Sequence, residues 1–229
     1  MKLNNKRTIL VGLAFLSICA FWQMYDSIVP LILTKTFHMN ETFSGAIMAA
    51  DNILALFLLP FFGSVSDKSH SKLGKRMPFI LFGTGCAIIL MNILPLLDNS
   101  YAAQPSGFKT ASFVIVLGLL LVAMGTYRAP AVALMPDVTP KPLRSRANAI
   151  INLMGAVGGI LYLGVAAVLY PNSKTAGLDH VNYQPLFIVV SAIMFIAIAV
   201  LFLTVKEPKL TAENQALEKQ HPEWNLAQD

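Results

Sequence analysis

"SFVIVLGLLLVAMGTYRAPAVALMPD", Ser112 to Asp137, decides how this chain is read. It opens as an unbroken apolar run, then admits an arginine, two prolines and an aspartate. A bilayer core about 30 Å thick takes about 20 residues of apolar helix, and the run reaches that length only if Arg128 lies at membrane depth. Arg128 is therefore the residue to explain.

Working outward, apolar blocks of similar length recur at Thr8 to Leu33, Phe43 to Phe62, Pro78 to Leu97, Ala147 to Tyr170 and Pro185 to Val205, which with Ala111 to Leu134 makes six expected spans. Composition agrees. Of 229 residues 55% are hydrophobic and 13% charged, against roughly a quarter charged in soluble domains, and the mean hydropathy is +0.62. The expected class is an all-α membrane protein, with residues 1–205 as the six-helix domain and 206–229 as a polar tail. The formal charge of +5 does not point to nucleic acid, because the basic residues lie between the apolar blocks rather than in one patch.

Lys2, Lys6 and Arg7 ahead of "TILVGLAFLSICAF" resemble the start of a signal peptide. The apolar run continues to Leu33, too long for a signal core, and is read as the first span. Cys19 and Cys86 lie inside apolar blocks and imply neither a disulfide framework nor a metal site. No cofactor is expected. There is no paired-histidine metal motif and no nucleophile elbow, and His38, His70, His180 and His221 fall in loops or the tail, so an enzyme is not expected.

Of the 17 lysines and arginines, 13 fall on one side of the spans, three (Lys35, Lys109, Lys174) on the other, and Arg128 within one. The positive-inside rule places both termini in the cytoplasm, and the expected location is the cell's inner (plasma) membrane.

Asp26, Asp51 and Arg128 are the ionisable residues inside the expected spans. A charge at the bilayer centre costs roughly 2.5–3.5 kcal/mol on insertion scales, so the three should face one another or a water-filled cavity. Trp22 and Gln23 stand four and three residues before Asp26 and share its helical face, beside Tyr25. An indole, an amide and a carboxylate on one stripe suit a sugar, whose hydroxyls want polar partners and whose apolar face wants an aromatic plate. The plainer alternative makes Trp22 packing and Asp26 a structural partner of Arg128. Asp51, with Asn52 beside it, sits between desolvation, which disfavours its charge, and Arg128, which favours it; a permanent Asp51–Arg128 pair is the alternative. Two acids and one base leave one negative charge, to be met by a proton, the favoured reading, or by sodium. Tyr127 is taken as a further lining residue. In "RANAIINLMGAVGGILYLG", Asn148, Asn152, Gly155 and Gly159 recur at helical spacing; the glycines read as close packing, and Asn152 reads equally as packing or as a ligand.

Between the second and third spans runs "GSVSDKSHSKLGKRMPFI", Gly63 to Ile80. Gly63, Asp67, Lys68, Gly74, Lys75 and Arg76 resemble the loop signature of the major facilitator superfamily, with four more residues between Lys68 and Gly74 than its commonest form. That longer loop, with "YRAPAVALMPDVTPKPLRSRANAIINLMGAVGGIL" (Tyr127 to Leu161), is similar to the glycoside-pentoside-hexuronide cation symporters and the sucrose-transporter-like carriers. "VKEP", Val205 to Pro208, looks like the exit of the superfamily's sixth helix. The fifth span lacks the glycine-proline signature of drug antiporters.

The resemblance implies an N-terminal half of a twelve-helix carrier that moves a sugar or glycoside with a cation by alternating access. A second six-helix half is then expected, whether the chain is a fragment, one product of a split gene, or one of two copies. Other readings stay open: a lipid or drug carrier on the same scaffold, or a non-transporting half. Asp67 should pair with Lys75 or Arg76, and Asp137 with Arg76, fastening one side of the carrier as a conformational gate.

Overall fold

The computed structural model describes residues 3–178 and 180–225. Each expected span falls on one long helix: α1 (Asn5–Leu31), α2 (Glu41–Asp67), α3 (Met77–Ala103), α4 (Gly107–Val138), α5 (Arg144–Leu169) and, after the short α6 (Asn172–Thr175), α7 (Gln184–Thr204). All six are long and apolar enough to cross a membrane.

α1 and α2 begin before their apolar blocks because a capping asparagine precedes each. Asn4 Oδ1 accepts from the Arg7 N–H to begin α1, and Asn40 Oδ1 accepts from the Thr42 N–H to begin α2. At its far end α1 widens into a π-helical turn, Ile32–Thr36. Prolines 60, 95, 130 and 136 all stay inside helices, as neighbouring helices permit at membrane depth.

Packing has two main layers of contact. α1 lies most extensively on α5 and α3 on α4, with α7 against both α1 and α3 and α2 against α4. The α1–α5 seam uses small residues: a side chain at Gly158 would begin 2.0 Å from the Leu16 carbonyl oxygen, and one at Gly155 2.9 Å from Cys19 Sγ. Of the two glycines whose spacing indicated close packing, Gly155 lies in this seam, whereas at Gly159 only Gln23 Oε1, at 3.8 Å, comes within 4 Å; the tightest approach is at Gly158, which the spacing did not single out. The core is apolar and aromatic, with Phe21, Tyr25, Phe113, Tyr127, Tyr162 and Phe187 all buried.

Within the polar tail, α8 (Glu207–Gln220) docks across one end of the bundle, with Glu207 2% and Asn214 4% exposed. Two polar residues bury it, so no apolar stripe announced the contact.

Candidate functional site

Two polar clusters gather some of the residues singled out in the sequence, one at membrane depth and one at the bundle end that carries the N-terminus.

At membrane depth, Trp22 of α1, Asp51 of α2 and Arg128 of α4 line one crevice, walled by Leu54, Leu58, Leu121 and Gly125. The Arg128 guanidinium carbon sits 5.6 Å from the centroid of the Trp22 ring, within cation–π range. Among the described residues neither Asp51 nor Asp26 lies within ion-pair distance of Arg128, so the permanent pair is not present. Instead Asp51 Oδ1 accepts from Asn52 Nδ2 at 2.9 Å. Trp22 is fixed by Phe21 and Tyr25, edge-on at 5.3 Å to each. Its indole N–H and the Tyr25 hydroxyl are buried without a hydrogen-bond partner among the described residues. Buried donors are seldom left unpaired, so this stripe keeps two hydrogen-bond donors to spare among the described residues. Asp26, Gln23 and Asn152 lie exposed on α1 and α5; Gln23 Oε1 is 3.8 Å from where a side chain on Gly159 would start.

Tyr127 does not belong to the crevice. It is 0% exposed, and its hydroxyl bonds Ser17 Oγ and donates to the Ala14 carbonyl at 2.9 Å, tying α4 to α1. Neighbouring residues on a helix point about 100° apart, so Arg128 in the crevice sends Tyr127 into the helix–helix seam.

At the N-terminal end the organising residue is Arg76, 5% exposed. Its Nε donates to Asp137 Oδ2 at 2.8 Å, Nη2 pairs with Asp67, and Nη1 donates to Ser66 Oγ at 2.5 Å and weakly to the Gly63 carbonyl at 3.4 Å. One guanidinium thereby joins the end of α2, the start of α3 and the end of α4. Burial works against its charge, but the hydrogen bond and charge of Asp137, with those of Asp67, outweigh it and raise the pKa above its ordinary value. Lys68 and Lys75 have exposed side chains and make no ion pair among the described residues.

Sequence reasoning missed Glu207. Its carboxylate accepts from the backbone N–H groups of Lys75 (2.7 Å), Arg76 (2.9 Å) and Met77 (2.8 Å), capping α3 from the far end of the chain. A carboxylate at a helix N-terminus answers both the orphan donors and the dipole. Gly74 makes the approach possible: its φ is +115°, and an added side chain would begin 2.3 Å from the Glu207 carboxylate. The readable signal was a Glu-Pro pair directly after a span that exits on the same side as the Gly74 loop. α8 then bonds the Asp137 carbonyl through Asn214 (3.1 Å) and Arg144 through Glu218 (2.9 Å).

A loop–arginine–carboxylate knot between α2, α3 and α4 on a six-helix bundle agrees with a family model, the Major Facilitator Superfamily, that matches residues 11–226. The chain belongs to the Major Facilitator Superfamily. Its six long apolar helices make it a multi-pass membrane protein of that superfamily. Among curated proteins it is similar to the sucrose transport protein SUC3 of Arabidopsis thaliana, 35% identical over 64% of this chain and 26% of the relative. It resembles the sucrose transport protein SUT3 of Oryza sativa subsp. indica at 36% over 61% and 30%, and human solute carrier family 45 member 3 at 25% over 80% and 34%. The superfamily chain described here thus spans about a third or less of these relatives' length.

Proposed function

We propose that this chain forms the N-terminal half of a cation-coupled sugar or glycoside symporter working by alternating access, with both termini in the cytoplasm of a cell whose inner (plasma) membrane it crosses. The observation that carries this reading is the crevice where α1, α2 and α4 bring Trp22, Asp51 and Arg128 together. The names of the similar sucrose transport proteins support the substrate class.

In this reading Trp22 is the plate for an apolar sugar face, its free indole N–H and the Tyr25 hydroxyl are donors awaiting a partner, and the unpaired Arg128 guanidinium offers a fork to sugar hydroxyls. Asp26, Gln23 and Asn152 extend the same surface. Asp51 holds the coupling ion: it shares the crevice with Arg128 without being neutralised by it, which leaves its charge to a proton or, in the alternative, to sodium. The Arg76 knot, with Gly63, Asp67, Gly74 and Asp137, fastens the cytoplasmic ends of α2, α3 and α4 while the carrier faces outward. Opening inward requires breaking it, so the knot biases populations rather than touching substrate. The second six-helix half closes the crevice from the other side.

The test is sugar-driven pH change in membrane vesicles containing this chain and its completing half, in choline and in sodium buffers. Asp51→Asn should abolish proton movement while disaccharide still alters Trp22 fluorescence in a Trp224→Phe background. Undiminished proton movement in Asp51→Asn would remove Asp51 from the coupling role; absence of any fluorescence response to a disaccharide panel would remove the sugar reading.

A further inference from the structure

The opposite end of the bundle contains a second buried acid that the transport reading does not use. Asp98 stands one residue past the apolar block that defined the third span, but α3 continues to Ala103 and carries it inside. Its side chain is 0% exposed, and among the described residues both carboxylate oxygens lack a hydrogen-bond partner. Buried carboxylates in folded proteins are paired, hydrogen-bonded or protonated. Among the described residues a single basic side chain lies within 4.0 Å of it: Nε2 of His180, at that distance from Oδ2.

His180 is held in place from two elements. Its Nε2 is 2.9 Å from Asn99 Oδ1 on α3, and its Nδ1 is 3.2 Å from Thr36 Oγ1 at the end of α1. With the ring neutral, an Nε2–H donates to Asn99 and Nδ1 accepts from Thr36. With the ring protonated, both nitrogens donate and the positive charge faces Asp98. Among the described residues the hydrogen-bond geometry pairs Thr36 Oγ1 with His180 rather than with Asp98. The other groups around the pair, among the described residues, add no compensating charge. Tyr183, at the start of α7, is an uncharged phenol, while Lys35, His38 and Tyr101 border an adjoining cavity of about 630 Å³ without reaching the carboxylate. That cavity is also lined by His180 and Thr36, and gives the pair a route to solvent.

The strand of chain that carries His180 has further stitches to the bundle: Asn182 accepts from Asn99 Nδ2 at 2.9 Å, and the Asn182 carbonyl accepts from the Tyr170 hydroxyl at 2.7 Å. His180 is thus the point where this connection meets α1 and α3 together.

We propose that Asp98 and His180 form a one-proton site, separate from the Asp51 crevice, that latches the connection between α5 and α7 onto the ends of α1 and α3. The proton resides on the carboxyl or on the ring; in either arrangement the buried site is electrically neutral, and its loss leaves a lone carboxylate beneath the connection. The direction of the pH effect follows. The folded chain keeps a proton that the unfolded chain, with a free carboxyl near 4 and a free imidazole near 6.5, has released, so stability falls as pH rises. That is the reverse of an aspartate paired with a permanent cation such as arginine.

The experiment is thermal unfolding of the purified chain in lipid nanodiscs between about pH 6 and about pH 8.5, in choline chloride. The melting temperature should drop by a few degrees across that range, and Asp98→Asn, whose amide needs no counter-charge, should flatten the profile. A wild-type slope retained in Asp98→Asn, or a flat wild-type profile, overturns the proposal. His180→Gln preserves bonds to Thr36 and Asn99 but leaves only the carboxyl to hold the proton, so the drop should move along the pH axis. This variant decides the matter if Asp98→Asn does not fold, an unmoved profile then counting against a shared proton. Recovery of the high-pH melting temperature on replacing choline with sodium would make the occupant a metal cation and overturn the proton.

Discussion

Gly74 shows how far one residue's backbone can reach. At φ +115° it occupies the region that favours glycine, and its missing side chain leaves the space where the Glu207 carboxylate receives three backbone N–H groups. Gly74→Ala must therefore both strain the turn and displace the cap, and is expected to lower stability by about 2–4 kcal/mol; chemical unfolding of the purified protein in detergent reads this directly, and a change within error of wild type would contradict it. At this scale the sequence disclosed chemistry better than direction. Arg128 and Asp51 stood out because charge at membrane depth is expensive, and they do share a crevice. Tyr127 was legible as an aromatic with a polar tip but not as one turned into the α1 seam, since a span surrounded by other helices has no polar face to fix its rotation. Glu207 and Asp98 were unremarkable acids at the edges of apolar blocks until the fold buried them.

For elements, hydropathy sufficed to find six helices, because each must satisfy its backbone internally and shed polar side chains to cross a bilayer. Which helices touch was less evident. The small-residue pattern of α5 marked a close contact without naming α1 as the partner. The contact is unforgiving at Gly158, where the nearest atom is the Leu16 backbone oxygen rather than a movable side chain. Gly158→Ala should force the two helices apart at a cost of about 1–3 kcal/mol, whereas Gly164→Ala, with nothing within 4 Å of the added group, should be neutral or slightly stabilising by helix propensity. Measuring both in the same unfolding assay separates interface packing from propensity; equal effects would argue against the seam. α8 was the least legible element, its attachment resting on two buried polar residues and one ion pair.

The whole molecule presents an uneven surface. α2 is anchored chiefly to α4, and Phe43, Ile53, Leu56, Phe57 and Phe61 along it are all at least 59% exposed. Such a face meets either lipid or another helical bundle. If it meets the second half of the carrier, Phe57→Cys, made with Cys19→Ala and Cys86→Ala, should react with a membrane-soluble maleimide in the chain alone and lose most of that reactivity when the second half is co-expressed. Unchanged labelling would assign this face to lipid. The six-helix architecture was readable from residue order alone, whereas the identity of the exposed face depends on side-chain directions that no linear pattern records.

The Glu207 cap also sets a boundary condition for polymer reach. Because the chain is pinned at the start of α3 and then follows α8 past the end of α4 to Arg144 of α5, its 14 helical residues carry it about 21 Å across the bundle end. A tether to any following domain would have its origin beside α5 rather than beneath α7. Cutting the cap would hand those residues back to such a tether, lengthening its leash and lowering the effective concentration of whatever it carried.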